Sequence, residues 1–219
     1  MTAAGPDTTA DAGIRGRWWW LVAITAGLLL GPLDLWGQVA SPYPWANLFN
    51  SPSVWAAAAF GYGRWLRRPP VASIGGVVVL VVGVESYYLA DVLVRDASRS
   101  NLTSSTAMVW LLAGIVAGVV FGMAGSWASD TSSWRAVLGR SSLPAVFGAE
   151  AMRNAVRLVN EPAAARPDDL GTFAVLLAVC ALVSLILLIR GADRRSARRV
   201  AALSVIAAVA VGAAAGVVL

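Results

Sequence analysis

Four stretches of this chain, residues 71–84, 107–127, 170–189 and 200–219, carry almost no charge. Each covers about the length a helix needs to cross the ~30 Å hydrocarbon core of a bilayer. In hydrocarbon a backbone must satisfy its amides without water, and long continuous apolar runs do so as helices. Composition agrees: 58% of the residues are apolar and 13% charged, against about 25% charged in a soluble domain. The expected fold is all-α, a polytopic transmembrane helical bundle. It forms a single domain over residues 18–219 behind a disordered cytoplasmic tail at 1–17, in a multi-pass protein of the cell membrane.

The net charge of +5 comes entirely from arginine on the positive side, and almost every arginine lies between apolar runs. That distribution marks loop topology at a lipid bilayer and excludes a nucleic-acid surface. With no histidine, the chain cannot build Ser-His-Asp or Cys-His nucleophiles or histidine zinc sites. With no lysine, Schiff-base chemistry and the phosphate-loop lysine are also absent. Cys180, the single cysteine, sits in an apolar run and reads as a packing residue. No catalytic residue, metal site or cofactor is expected, and the chain is not read as an enzyme.

Along the chain, Trp18, Trp19 and Trp20 anchor a first span at the interface. A basic start before an apolar core is also the outline of a signal peptide. Pro32, Asp34 and Trp36 and the lack of a small-residue cleavage site favour an uncleaved helix. Pro42 and Pro44 preclude an ordinary helix across residues 37–51. Ser51 and Pro52 then form a cap-like start for a short second span to Leu66. Further spans are expected at 71–94, 107–127, 141–158, 171–190 and 200–219, about seven in all, with loops at 95–105 and 128–140. Gly114, Gly118 and Gly122 give the fourth span a small-residue face suited to close helix packing.

The fifth span carries a polar stripe, Glu150, Arg153, Asn154 and Arg157, at helical spacing. It reads either as a span or as an amphipathic helix lying in the interface. Arginine placement separates the two. With seven spans and a cytoplasmic N-terminus, only Arg95, Arg99 and Arg166 fall in outer loops, and twelve arginines fall inside. Laying the fifth helix on the surface would move Arg190–Arg199 outside and abolish the bias, so a true span is expected.

Carboxylates near the bilayer centre are costly and need partners. Glu85 and Glu150 are such groups, and Arg153 and Asn154 are the local partners expected for Glu150. Asp34, Tyr87, Tyr88, Asp91 and the stripe all fall in outer halves, near Gln38, Asn47 and Asn50. The resulting expectation is an outward-facing pocket touching both Glu85 and the stripe. Its candidate ligand-binding residues are Glu85, Tyr87, Tyr88, Glu150, Arg153 and Asn154.

Gly31-Pro32-Leu33, Gln38, Pro44-Trp45-Ala46-Asn47-Leu48 and Asn50-Ser51-Pro52-Ser53-Val54-Trp55 resemble an uncharacterised family. Its members are small polytopic membrane proteins from high-GC Gram-positive bacteria. That family carries no assigned activity, so the resemblance implies a fold and no site residue. A fainter likeness is to the substrate-binding membrane subunits of energy-coupling-factor transporters, bundles of about six spans with an exterior pocket roofed by the first loop. Two functions are therefore weighed. One is a small-solute binding or transport component whose partner is a small polar solute. The other is a structural or regulatory subunit that serves other membrane subunits.

Overall fold

The computed structural model describes residues 18–131, 133–160, 167–190 and 192–218. The expected tail at 1–17, with Arg15 and Arg17, and Arg166 lie outside the described residues. Eight α-helices are described: α1 Trp19–Ala40, α2 Trp45–Phe49, α3 Pro52–Leu66, α4 Pro69–Val94, α5 Ser105–Trp127, α6 Trp134–Asn160, α7 Pro167–Ile189 and α8 Arg194–Val218. A 3-10 turn over Arg99–Thr103 joins α4 to α5.

Local chemistry sets several helix ends. Ser51 caps α3 by accepting from the Ser53 amide, and Pro52 occupies the first turn, where a missing N–H costs nothing. Arg67, with φ 59°, closes α3 in the left-handed region, its amide donating to the Gly63 carbonyl. Arg68 is extended before Pro69, as the following ring requires. Ser104 caps α5 through the Ala107 amide. Asp193 caps α8 by accepting from the Ser196 amide at 2.9 Å. Those Ser196 hydrogen bonds hold the Asp193 carboxyl below the usual carboxylate range.

Two expected bounds move. The segment 128–140, read as a loop, is helical from Trp134, because Ser133 caps the Ala136 amide and Pro144 is accommodated inside α6. Likewise α8 starts at Arg194 rather than residue 200. In both places arginines in the first turns hide the helix from a search for apolar runs.

Five helices, α1, α4, α5, α7 and α8, are long and apolar enough to cross a membrane. The other two long helices fail for different reasons. At 15 residues α3 spans about 22 Å, and α6 carries too many charges. Both lie inside the bundle. α3 packs on α4, α5 and α6, whereas α6 packs on α3, α5, α7 and α8. Asn154 on the α6 stripe is 5% exposed, and Glu150, Arg153 and Arg157 are partly buried. The stripe therefore faces neighbouring helices.

Contact register gives the helix directions. Gly27 meets Val79 and Val82, and Gly31 meets Gly83, Ser86 and Tyr87, so α1 and α4 run parallel. Tyr62 against Gly75 and Trp55 against Gly83 make α3 antiparallel to α4. Ser141 near Val200, Gly148 near Ala208 and Ala149 near Gly212 make α6 and α8 parallel. Backbones also approach closely between α4 and α5, where a Cβ on Gly118 would overlap the Val77 backbone and one on Gly122 the Ala72 carbonyl.

Arginines gather at one end of the bundle. Arg64 Nη1 and Arg140 Nε both donate to the Ala128 carbonyl at 3.2 Å, and Arg140 Nη2 donates to Asp130 O at 2.8 Å. These guanidinium groups bond to the C-cap carbonyl of α5 and the turn that follows it, where the helix dipole is negative. Phe60, Ala124, Ala128 and Leu188 pack together there. The Tyr62 hydroxyl donates to Trp19 O at 2.9 Å, bringing the start of α1 to the same end.

Candidate functional site

At the opposite end the N-terminus of α3 is buried. Ser51 is 1% exposed and Ser53 is fully buried. The first amides of a helix have no partner within it, and burial removes water as an alternative. Glu150 of α6 supplies the acceptor. Its Oε2 accepts from Ser51 Oγ at 2.6 Å, from the Ser53 amide at 3.1 Å, and from the Ser53 hydroxyl. A carboxylate at a helix N-terminus is favoured by the dipole as well as by the hydrogen bonds. Glu150 therefore caps a helix to which it is not joined in sequence.

This corrects the expected pairing. Asn154 Nδ2 donates to the backbone carbonyl of Glu150 at 2.8 Å, not to its carboxylate. Arg153 makes no ion pair with Glu150. Once Glu150 leans toward α3, Arg153 is left without a hydrogen-bond or ion-pair partner among the described residues, and its Nε is a buried atom. The second Glu150 oxygen, Oε1, likewise accepts no hydrogen bond among them.

Asp34 is a buried carboxylate, 4% exposed. Gln38 Nε2 donates to its Oδ2 at 2.8 Å and Trp55 Nε1 to its Oδ1 at 3.2 Å, tying α1 to α3. The sequence reading noted Asp34 as a polar group but not as a site residue. The available signal was the Asp34–Gln38 spacing of one helical turn.

Two adjoining cavities open between these helices. The smaller, about 240 Å³, is bordered by Asp34 and Trp55 and by the α4 stripe of Val84, Tyr87, Tyr88 and Asp91. Tyr87 and Tyr88 meet edge to face, with ring centroids 5.4 Å apart. The larger, about 600 Å³, is bordered by the α6 stripe of Val146, Ala149, Glu150, Arg153 and Asn154, with Phe173 of α7 and Gly212 of α8 opposite. Asn50, Pro52 and Trp110 border both, and Asn47 reaches the larger from α2.

Glu85 does not join them. It is exposed on α4 and borders neither cavity. The cavity face of α4 is 84-87-88-91, and one residue off that face is a rotation of about 100°. Five of the six residues expected from the sequence, Tyr87, Tyr88, Glu150, Arg153 and Asn154, thus border one cavity or the other, and Glu85 faces away. Among the described residues no group of three metal-ligating side chains converges.

No curated protein and no solved structure matches the chain. A family model does match, over residues 14–219. The protein belongs to a family of unknown function (DUF6518).

Proposed function

We propose that this is a seven-crossing membrane protein with its arginine-rich end in the cytoplasm. Its opposite end forms an outward-facing pocket for a small polar solute, and the protein acts as a binding or transport component with no catalytic step. One observation carries the pocket. The Arg153 guanidinium borders a 600 Å³ cavity with no protein partner among the described residues, and its Nε is shut off from solvent. A partly buried guanidinium whose Nε has neither protein partner nor solvent is costly in a purely structural clamp, whereas a binding site leaves such a group for its ligand.

Seven crossings are supported by direction. α1 and α4 are parallel neighbours, as are α6 and α8. Parallel spanning neighbours need a return between them, which α3 and α7 provide. The short α3 is tolerated because protein surrounds its ends.

A rival reading, a structural or regulatory subunit, is favoured by the Glu150 cap and by the two donors on Asp34. Native mass spectrometry of the detergent-purified protein separates the two. A small adduct on the wild-type chain that is lost from Arg153→Gln supports the pocket. An adduct-free protein that instead retains a second protein subunit supports the rival.

A further inference from the structure

We infer that the larger cavity takes a small zwitterion, an ammonium and an oxyanion on one short scaffold, of the chemistry of a neutral α-amino acid. The inference rests on the pocket reading above and names its ligand class. Glu150 and Arg153 stand one helical turn apart on the cavity face of α6, yet they do not pair. One Glu150 oxygen is committed to the α3 N-terminus, and that commitment holds the carboxylate away from Arg153. What remains unpartnered among the described residues, on two side chains that border the cavity, is one acceptor-only carboxylate oxygen and one donor-only guanidinium. An uncharged polar ligand can hydrogen-bond to both but leaves both charges uncompensated. A lone anion would satisfy Arg153 but face the Glu150 charge, and a lone cation would do the reverse. A zwitterion answers both, its ammonium donating to Glu150 Oε1 and its oxyanion accepting from Arg153. Asn47 and Asn50 border the same cavity and offer amides to whatever the scaffold carries. Phe173 and Val146 supply apolar wall, so a modest side chain is accommodated.

The same pair of charges occurs in a phosphatidylethanolamine headgroup, and the experiment distinguishes the two sources. The full chain is placed in phosphatidylglycerol nanodiscs, which lack a zwitterionic headgroup. It is titrated calorimetrically with alanine, serine, leucine and glutamine, and with ethylamine and propionate as the two halves of alanine. At least one amino acid is expected to bind saturably while neither half does. Arg153→Gln weakens that binding by about tenfold or more, the scale of one charge-assisted contact. Glu150→Gln, which keeps an oxygen for the α3 cap, does the same without loss of thermal stability comparable to Glu150→Ala. If free amino acids give no heat but phosphatidylethanolamine co-purifies with the wild type and not with Arg153→Gln, the zwitterion is a lipid headgroup. Propionate or ethylamine binding as tightly as alanine overturns the zwitterion and leaves a singly charged ligand in the pocket. No Arg153-dependent binding in any arm overturns both this inference and the pocket reading.

Discussion

Glu85 and Glu150 look alike in the sequence, each a carboxylate well inside an apolar or amphipathic helix, and the fold gives them opposite environments. Glu150 accepts three hydrogen bonds on one oxygen, from two serines nearly a hundred residues away. No local spacing in the sequence points to Ser51 and Ser53 as its partners, and helical spacing wrongly favoured Arg153. Glu85 is exposed and makes no hydrogen bond or ion pair among the described residues. The energetic consequences differ in sign. Glu150→Ala strands buried donors at the α3 N-terminus and is expected to cost about 1–3 kcal/mol, read as a lower midpoint in detergent thermal melts. Combined with Ser53→Ala, the loss is smaller than the sum, because each substitution removes the other's partner. Combined with Arg153→Ala, the two effects add, since no pair is broken. Glu85→Leu, in the same melts, leaves the midpoint unchanged or raises it, because it removes an exposed charge from a membrane-facing helix and strands nothing. A clear drop for Glu85→Leu would reveal a partner for that carboxylate.

At the level of elements, hydropathy was enough to locate α1, α4, α5, α7 and α8, whose long apolar runs admit few alternatives. It located α6 and α8 with their starts displaced, because arginines in their first two turns lower the local average. It was silent on α6 being the hub of the C-terminal half, since a polar stripe has the same spacing whether it faces headgroups or other helices. Packing partners follow a simpler rule. The glycines of α5 let α4 approach until backbone touches backbone at Gly118 and Gly122, which in a membrane replaces the missing hydrophobic drive with dispersion. Gly61 on α3 has open space where a Cβ would stand. Gly118→Val and Gly122→Val are therefore expected to cost about 1–3 kcal/mol through overpacking. Gly61→Ala should be neutral or stabilising by up to about 1 kcal/mol, the gain in helix propensity. Thermal unfolding of the three variants side by side checks the contrast. Equal losses at all three sites would mean that α4 and α5 do not meet through their glycines.

For the whole molecule, the question is which end faces the cytoplasm and how many times the chain crosses. Five helices are long and apolar enough to cross a membrane, and if those five alone crossed, α1 and α4 would be antiparallel, because one loop would join them on one side. Their contacts advance in the same direction along both helices, and the proposed seven-crossing reading accounts for this by having α3 return between them. The proposed reading has α6 cross as well, which agrees with its running parallel to α8, since a crossing α7 then makes the return between them. If the chain crosses seven times as proposed, Arg64, Arg67, Arg68, Arg135, Arg140 and the arginines of 190–199 share one end, the end that the positive-inside rule would put in the cytoplasm. On that proposal Arg95 and Arg99 would lie outside, and the cavities bordered by Tyr87, Tyr88, Glu150 and Arg153 would open outward. Single cysteines on a Cys180→Ala background test this with an impermeant maleimide. Ser100→Cys is expected to label in intact cells, and Arg67→Cys and Arg195→Cys only after permeabilisation. Labelling of Arg195→Cys but not Arg67→Cys from outside would remove α6 from the crossings. Labelling of both, with Ser100→Cys protected, would invert the bundle and turn the pocket to the cytoplasm, where the same zwitterion would have to be met from within the cell.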